Sequence, residues 1–297
     1  MPFPEFDPVL IQLGPFPLRW YALAYVAGIV LGWVYAARIL KAERVWAPGR
    51  APITPVQLDD LVLWITLGII LGGRFGYALF YKPEIYAQLF TGESWAERLE
   101  LFQLWTGGMS FHGGFLGVVL AMVWFGRKHG ANLLSLGDAI APVVPLGLFF
   151  GRIANFINGE LWGRPTDGPF GVIFCNDRIA QAYGGLCPPE LLVPRHPSQL
   201  YEAGLEGLVL FAILWLAVWK WRLLTKPGYV MGLFLVGYGL SRAIIETVRE
   251  PDSHMPEALQ GVVTMGMLLS IPMIIAGAWL VWRARNRPPV TGTPDAA

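Results

Sequence analysis

Charged residues are scarce in this chain of 297 residues. Asp, Glu, Lys and Arg make up 14% of it, whereas a soluble domain has about a quarter. Such a sequence has too few polar groups to cover a water-facing surface, and its 55% of hydrophobic residues favours a multi-pass membrane protein. The formal net charge of +1 does not indicate a nucleic-acid partner, and none is expected.

Cysteine is nearly absent too. Two cysteines are too few for a disulfide-rich scaffold, and no Cys/His cluster has metal-ligand spacing, so neither a metal nor a cofactor is expected. Cys175 and Cys187 fall in a predicted external segment, where an oxidising compartment favours a disulfide between them over two free thiols. The first residues, MPFPEFDPVL, lack the basic region and the small-residue cleavage site of a removable signal peptide.

Long apolar runs, in contrast, are frequent. At roughly 20 residues per crossing, several segments can span a bilayer. They lie near 18–40, 58–81, 108–126, 133–157, 199–219, 228–248 and 259–282. The predicted fold is therefore an all-α integral membrane protein, a bundle of seven transmembrane helices in a single domain, 1–285. The remaining residues, 286–297, are predicted to form a disordered cytoplasmic tail.

The basic residues predict the orientation of this bundle. With the N-terminus outside, the cytoplasmic loops and helix ends carry more lysine and arginine than the external loops, which predicts an N-out, C-in topology. Two external segments are too long to be simple turns. The first, 82–107, is predicted to form an arm that lies along the interface as an amphipathic helix. The second, 158–198, is predicted to form a Pro/Gly-rich cap with FGVIF as a short strand.

Glycines recur at four-residue spacing within several predicted helices. Gly68, Gly72 and Gly76 show this spacing in the second span, and Gly113 and Gly117 show it in the third. Because small residues let helix backbones approach closely in lipid, the spacing predicts a compact bundle rather than a wide pore.

Three arginines stand in predicted spans, where charge is costly. Arg74, Arg152 and Arg242 lie in or at the external end of the second, fourth and sixth spans. An arginine at the bilayer centre costs ~2.5–3.5 kcal/mol on insertion scales, so each needs a compensating partner or a function. Because these helices run in the same direction and each arginine lies in the C-terminal half, all three are predicted at the level of the outer leaflet.

Polar residues accompany these arginines at helical spacing. Tyr238, Arg242 and Glu246 recur every four residues and share one helix face. Arg242 and Glu246 could pair with each other and only lock the bundle, but Arg152 has no acidic residue three or four positions away. His112, at the start of the third span, could reach the same depth.

This combination of residues favours phosphate recognition. Guanidinium groups are planar, permanently charged forks that match phosphate oxygens, and the phosphate available at this depth belongs to an anionic phospholipid. The sequence therefore predicts a lipid-phosphate pocket, to which tyrosine hydroxyls such as that of Tyr77 and the amide of Asn155 contribute. Because no serine-hydrolase elbow frames Ser110, an enzyme of this kind would move a group directly from the lipid to an acceptor.

Two other functions fit the same residues. A transporter or flippase for an anionic lipid also needs buried arginines, although the sequence lacks the inverted repeat that many transporters show. A structural lipid-binding subunit would explain the arginines but not the histidine.

A resemblance to a known family rests on stretches that occur in order along the chain. They are RWYALAY, GGRFGYALFY, GGMSFHGGFLG, GRIANFINGELWGRPTDGPFGV, RHPSQLYEA and GLSRAIIETVREPD, from Arg19 to Asp252. With them the chain resembles the bacterial phosphatidylglycerol–prolipoprotein diacylglyceryl transferases, and the long fourth stretch is the most specific. Ala154 stands where the family pattern has glycine, while the polar positions around it are intact.

The resemblance implies a reaction and a location. The family transfers the sn-1,2-diacylglyceryl group of phosphatidylglycerol to the thiol of the lipobox cysteine in a prolipoprotein, which forms a thioether and releases glycerol phosphate. The expected partners are phosphatidylglycerol, the prolipoprotein signal peptide and membrane lipid. The expected location is the bacterial cytoplasmic (inner) membrane, with the active site toward the outer, periplasmic leaflet.

The resemblance also implies catalytic residues. Arg152 and Arg242 are similar in position to the two family arginines tied most closely to the phosphate and the chemistry. His112 matches the family histidine proposed as general base, a role that Glu246 or a water could share.

Other matching positions surround the lipid head group. The family positions around it are Tyr21, Asn155, Glu160 and Gly163, and the same region is lined by Arg74, Tyr77, Tyr238 and Glu246. His196 and Glu202 match further functional positions, or else they anchor the cap.

Overall fold

The structure is a computed structural model that describes residues 1–7, 9–14, 16–47, 51–104, 107–250 and 264–287. In chain order its strands and α-helices are β1 (Val9–Leu13), β2 (Phe16–Arg19), α1 (Trp20–Lys41), α2 (Pro55–Phe80), α3 (Glu84–Thr91), α4 (Trp95–Arg98), α5 (Phe111–Lys128), α6 (Leu133–Ile140), α7 (Val144–Asn158), α8 (Asp177–Ala182), α9 (Ser198–Glu202), α10 (Leu210–Trp219), α11 (Tyr229–Ile245) and α12 (Met265–Arg285). The chain divides into two compact units, a first unit of residues 1–50 and 137–297 and a second unit of residues 51–136. The single domain over 1–285 stays a prediction.

The predicted spans coincide with helices, but not all of these helices qualify as spans by length and composition. Within the described residues, the ones that qualify are α1, α2, α12 and the continuous helix Ser198–Trp219. The pair α6 and α7, bent by 41°, adds one more if it is a single broken span. The first residues of the predicted segment 259–282 lie outside the described residues, and so does most of the predicted tail. The chain is thus a mostly helical membrane protein with four or five candidate spans.

One element departs from the predicted all-α fold. β1 and β2 form an antiparallel hairpin directly before α1, in which Val9 pairs with Arg19 and Ile11 with Leu18. Gly14 has a φ of +58°, the left-handed conformation that glycine adopts at little cost in a tight turn. The all-α prediction is wrong here because β1, an apolar run of five residues, carries neither a helical period nor the length of a span.

The arm is not one amphipathic helix. It consists of α3, α4 and a short 3₁₀ turn at Glu100–Phe102. Gly92 ends α3, and the Oγ of Ser94 then accepts a hydrogen bond from the backbone N–H of Glu97 and begins α4. Ile85 of α3 and Leu101 are buried against Ala78 of α2, so the arm packs onto α2 through a small apolar core.

The cap folds around the N-terminal segment. Phe3 is buried in a cluster with Val172, Phe174, Ile179 and Leu191. The predicted strand FGVIF is present only as isolated bridges, in which Ile173 pairs with Pro2 and Val172 with Arg195. A disulfide joins Cys175 to Cys187 across α8, with their Cα atoms 6.0 Å apart. The N-terminus and the cap therefore lie at the same end of the first unit.

Glycine contacts hold α2 against α5, as the four-residue spacing predicts. A Cβ at Gly68 would lie 2.5 Å from the carbonyl oxygen of Gly117, and one at Gly76 would lie 2.6 Å from Cα of Gly113. Any side chain at these positions would push the helices apart, so their backbones touch.

Candidate active site

The carboxylate of Glu202 joins three arginines in the first unit. Glu202 is fully buried at the end of α9, and its Oε1 accepts hydrogen bonds from Nη1 of Arg242 at 2.8 Å and from Nη1 of Arg249 at 3.0 Å. Its Oε2 lies 3.2 Å from Nε of Arg152 on α7. The partner that Arg152 lacks in its own helix is therefore supplied by α9.

A second carboxylate, that of Glu246, reinforces this arrangement. Its Oε1 lies 2.5 Å from Nη2 of Arg242 and 3.7 Å from Nε of Arg249. Both arginines thus bridge Glu202 and Glu246. The pairing of Arg242 with Glu246 exists, but it is one part of a larger network and not a closed pair within α11.

A third carboxylate, that of Glu206, contacts the network only weakly. Its Oε2 lies 3.5 Å from Nη2 of Arg152, and neither of its oxygens accepts a hydrogen bond from any residue that the structure describes. Glu206 is fully buried. The arginine–glutamate cluster is defined here as Arg152, Glu202, Glu206, Arg242, Glu246 and Arg249. Its formal charges cancel.

The cluster presents positive charge on its open side. The side chains of Arg152, Arg242 and Arg249 are 18%, 15% and 14% exposed, whereas those of the three glutamates are 3% exposed or less. The part of the cluster that an anion can reach therefore belongs to arginines, whose guanidinium groups offer the donor geometry that phosphate needs. Tyr238 interacts electrostatically with Arg152 and Arg242, so it belongs to the same surroundings.

A π-helical stretch, Ala203–Val209, carries Glu206 and directly follows Glu202. Such wide turns interrupt α-helices mostly as short insertions and are frequent at functional sites. Within this stretch, Gly207 allows α7 to come close, because a Cβ there would lie 2.8 Å from Cβ of Phe149. Phe149 precedes Arg152 by less than one helical turn, so the close approach brings the Arg152 guanidinium to both glutamates.

The helix that carries Arg242 is fixed at its other end by a carboxylate from α6. Asp138 is fully buried and accepts hydrogen bonds from the backbone N–H groups of Gly228 at 2.6 Å and Met231 at 2.7 Å. Gly228 has a φ of 91°, which favours glycine at this position. Because the first N–H groups of a helix have no partner within it, the buried carboxylate satisfies them and anchors α11.

The predicted head-group residues Tyr21, Asn155 and Glu160 lie together in the first unit. Nδ2 of Asn155 donates to Oε1 of Glu160 at 2.9 Å, and the Tyr21 side chain interacts with both. The carbonyl oxygen of Glu160 accepts a hydrogen bond from Nε2 of Gln199 at 2.5 Å. Because Gln199 belongs to α9, this bond links the end of α7 to the helix that supplies Glu202.

Gly163 occupies a place where no side chain fits. Its N–H donates to the carbonyl oxygen of His196 at 2.8 Å, and a Cβ at this position would lie 2.9 Å from Cβ of His196. The next residue, Arg164, donates its N–H to the carbonyl oxygen of Val248 and its Nε to that of Arg249, both at 2.8 Å. The cap is thereby tied to the C-terminal end of α11. Nδ1 of His196 lies 3.5 Å from the hydroxyl oxygen of Tyr201.

Arg74 lies in the second unit, where it binds the arm. Its Nε donates to the carbonyl oxygen of Leu101 at 3.0 Å and its Nη1 to that of Gly108 at 3.1 Å. The same guanidinium also donates to the carbonyl oxygens of Glu100 and Gly107. It lies 5.6 Å from the ring centre of Tyr77, a cation–π distance. The N–H donors of Arg74 are thus directed at backbone carbonyl oxygens, although the sequence predicts a lipid contact for Arg74 and Tyr77.

An ion pair adds to the attachment of the arm. Nζ of Lys82 donates to Oε1 of Glu100 at 2.5 Å. This hydrogen bond raises the pKa of the Lys82 ammonium above its ordinary value. The ammonium therefore keeps its charge at any physiological pH, and the pair does not act as a switch.

His112 stands at the exposed start of α5 in the second unit. The Oγ of Ser110 accepts a hydrogen bond from the backbone N–H of Gly113 and caps the helix at this point. The His112 ring is exposed, and it meets the ring of Phe111 edge-on with 5.8 Å between their centres. In the described part of the chain its nitrogens make no hydrogen bond, so they are open to a ligand.

Comparison with known proteins identifies the family. A family model described as prolipoprotein diacylglyceryl transferase matches residues 8–283, nearly the whole chain. The chain belongs to this family. A phosphatidylglycerol–prolipoprotein diacylglyceryl transferase of Phenylobacterium zucineum is 54% identical over 99% of both chains. Proteins of the same name from Caulobacter vibrioides, 55% identical over 97% of this chain and 96% of theirs, and from Bradyrhizobium diazoefficiens, 52% identical over 96% and 94%, are also similar.

Family membership confirms the resemblance that the sequence motifs indicate. It makes the chain a multi-pass membrane protein of a bacterial transferase family, and it decides against the transporter and the structural subunit. The roles of individual residues are a separate question, because the matches concern the chain as a whole.

Two charged members of this transferase's cluster were not singled out as site residues from the sequence. The sequence patterns assign no role to Glu206 or to Arg249. A signal for Glu206 exists, since Glu202 and Glu206 are four residues apart in an otherwise apolar helix. Ionisable residues inside a span are functional candidates by default, and this rule identifies Glu206, which lies in the predicted span 199–219.

Proposed function

We propose that the arginine–glutamate cluster binds the phosphate of phosphatidylglycerol and promotes transfer of its diacylglyceryl group to the cysteine thiol of a prolipoprotein. The observation that supports this role is the asymmetry of exposure in the cluster. Its arginine side chains are partly exposed while its carboxylates are buried, so the accessible part of the cluster belongs to its cationic residues. The family carries out the corresponding transfer, as the names of the similar proteins state.

The chemistry of the transfer needs positive charge at two points. The thiolate sulfur attacks the glyceryl carbon that bears the phosphate, a C–S bond forms and the C–O bond breaks with its electron pair on the phosphate oxygen. Glycerol phosphate leaves with one more negative charge than the bound diester had. Arg152 and Arg242 stabilise that charge, and groups that stabilise developing charge supply a large part of catalysis. The same field favours the thiolate over the thiol.

Other residues have supporting roles in this proposal. Tyr238 and Glu246 line the phosphate site, and Tyr21, Asn155, Glu160 and Gly163 shape the head-group region at the end of α7. Glu202 holds the three arginines in place, and His196 acts with it at the base of the cap. For His112 the family resemblance supports the role of proton acceptor for the thiol, and for Arg74 and Tyr77 it supports a place near the lipid.

We also propose the seven-span, N-out, C-in topology, with the cluster at the outer leaflet of the bacterial cytoplasmic membrane. The packing of Phe3 into the cap supports it, because the N-terminus and the cap must then lie on the same side of the membrane. The cap follows Asn158, the end of α7, just beyond Arg152. A topology with the cap outside therefore brings the cluster toward the periplasmic surface, where prolipoproteins arrive.

The test is a transfer assay on purified protein with labelled phosphatidylglycerol and a lipobox peptide. Replacing either arginine, by Arg152→Ala or Arg242→Ala, is expected to lower the rate by about 10²–10³-fold or more, the usual effect of losing a charge-stabilising donor. Arg152→Lys keeps the positive charge but lacks the planar guanidinium. A loss of transfer in this variant, if it is folded, therefore reports on phosphate binding and not on folding. The matched control is Arg283→Ala at the end of α12, which should transfer normally. Wild-type rates in a well-folded Arg152→Ala protein would refute the assignment.

A further inference from the structure

The arginine–glutamate cluster is electrically balanced before any lipid binds. Arg152, Arg242 and Arg249 carry three positive charges, and the three buried glutamates carry three negative charges when ionised. A phosphodiester brings one further negative charge into this partly buried network. An excess charge away from water is costly, and proteins commonly avoid the cost by neutralising a group through proton uptake.

The three carboxylates differ in how strongly hydrogen bonds and nearby arginines stabilise their ionised forms. Glu202 accepts two hydrogen bonds on Oε1, and Glu246 lies 2.5 Å from Arg242. Glu206 lies 3.5 Å from its nearest cation, Nη2 of Arg152, and neither of its oxygens accepts a hydrogen bond from the described residues. Its ionised form is therefore the least stabilised of the three, and it is the carboxylate that a proton would neutralise at the lowest cost.

The groups that face Glu206 add to this difference. They are Arg152 from α7, Glu202 from α9, and Tyr238 and Arg242 from α11. Glu202 repels the Glu206 charge, and Arg152, its nearest cation, is shared with Glu202. A phosphate that binds Arg152 competes for the same guanidinium and removes what stabilises Glu206.

We propose that Glu206 takes up a proton from water when the anionic phosphate of a lipid head group binds Arg152. The uptake keeps the cluster neutral and releases Nη2 of Arg152 for the phosphate, while Nε stays paired with Glu202. Glu206 acts through Arg152 and is a positioning residue, not one that touches the lipid. This inference rests on the proposed phosphate site.

Calorimetry measures the proton directly. Short-chain phosphatidylglycerol is titrated into the full-length protein in phosphatidylcholine nanodiscs, in two buffers of different ionisation enthalpy. The expected result is about one proton taken up per lipid bound, with affinity that falls up to about tenfold per pH unit as pH rises. In Glu206→Gln the uptake is lost and the affinity no longer depends on pH. The control Glu190→Gln, an exposed glutamate of the same unit, keeps the uptake.

Infrared difference spectra of the unaltered protein provide a second measurement that needs no variant. Lipid binding should produce a protonated-carboxyl band, and folded Glu206→Gln should lack it. Phosphatidylglycerol binding without proton uptake, or uptake that persists in Glu206→Gln, would overturn the inference and leave the phosphate site intact. Binding that Arg152→Ala does not weaken would instead overturn the phosphate site itself.

Discussion

Arg152 on α7 lies 3.2 Å from Glu202 on α9, between Nε and Oε2, and the two residues are fifty positions apart in the sequence. Arg152 has no acidic residue within four positions of itself, so its charge depends entirely on this long-range contact and on Glu206. A buried carboxylate shared by three arginines makes α7, α9 and α11 interdependent. Stability and the proposed recognition of phosphate therefore rest on the same residues.

Replacing the shared carboxylate tests this dependence. In Glu202→Gln three arginines lose a buried counter-charge, and breaking a buried pair by removing one partner costs about 3–5 kcal/mol. We expect a marked fall in the thermal unfolding temperature in detergent, together with loss of transfer. Glu190→Gln, on the exposed surface of the cap, should unfold as the unaltered protein does. Equal unfolding temperatures for both variants would show that Glu202 does not hold the arginines together.

The local parts of this site can be predicted from the sequence. The face of α11 that carries Tyr238, Arg242 and Glu246 follows from helical periodicity, and the glycine contacts of α2 with α5 follow from four-residue spacing. The pairing of Arg152 with Glu202 does not, because contacts between distant helices depend on packing that no local period encodes. The π-helical stretch that presents Glu206 has no local signal either.

Hydrophobic periodicity also fails at the places where the predicted fold is wrong. A short apolar run such as Val9–Leu13 has too few residues to distinguish a strand from a piece of a span, so the hairpin was missed. In the arm, the mixture of aromatic, leucine and acidic residues predicts one amphipathic helix, but Gly92 and Ser94 divide it. Single residues decide where a helix ends or is interrupted. An average of hydropathy over a window of residues does not detect them.

Arg74 offers a test between two roles. Its guanidinium binds the carbonyl oxygens of Leu101 and Gly108, whereas the family resemblance predicts a lipid contact. If the structural role is the main one, Arg74→Gln should make the arm, residues 82–104, sensitive to limited proteolysis at unchanged affinity for phosphatidylglycerol. Each lost hydrogen bond to a charged donor costs about 1.5–3 kcal/mol, so the effect should be large.

The control for this experiment is Arg98→Gln. Arg98 lies in the same arm and makes one hydrogen bond through its Nε, to the carbonyl oxygen of Gly92, so its loss should matter less. Weaker lipid binding with an intact arm in Arg74→Gln would contradict the structural role and favour the lipid contact.

His112 is open to a test through the pH dependence of transfer. If its ring takes the thiol proton, His112→Gln should lose most activity at neutral pH, since general bases contribute about 10²–10⁴-fold. The loss should shrink as pH rises toward the thiol's own range near about 8.5, because the thiolate then forms without help. Transfer rates to the lipobox peptide are compared from pH 6 to about 9. His129→Gln, at an exposed histidine, serves as the control. A loss that stays constant across this range would argue for a role in binding.

Gly163 gives the sharpest steric prediction. A Cβ at this position would collide with the carbonyl oxygen of Val248 and lie 2.9 Å from Cβ of His196. Gly163→Ala must therefore separate the cap from the C-terminal end of α11, next to Arg249, which pairs with Glu202. We expect a loss of transfer of at least about tenfold, equivalent to 1.4 kcal/mol, with a lower unfolding temperature. Gly204→Ala is the matched control, since no described residue beyond its own stretch of helix lies within 4 Å of a Cβ there, and it should behave as the unaltered protein does. Because both substitutions add one methyl group in the first unit, any difference between them measures the closeness of the cap to α11, and equal activity would mean that this contact is not needed for transfer.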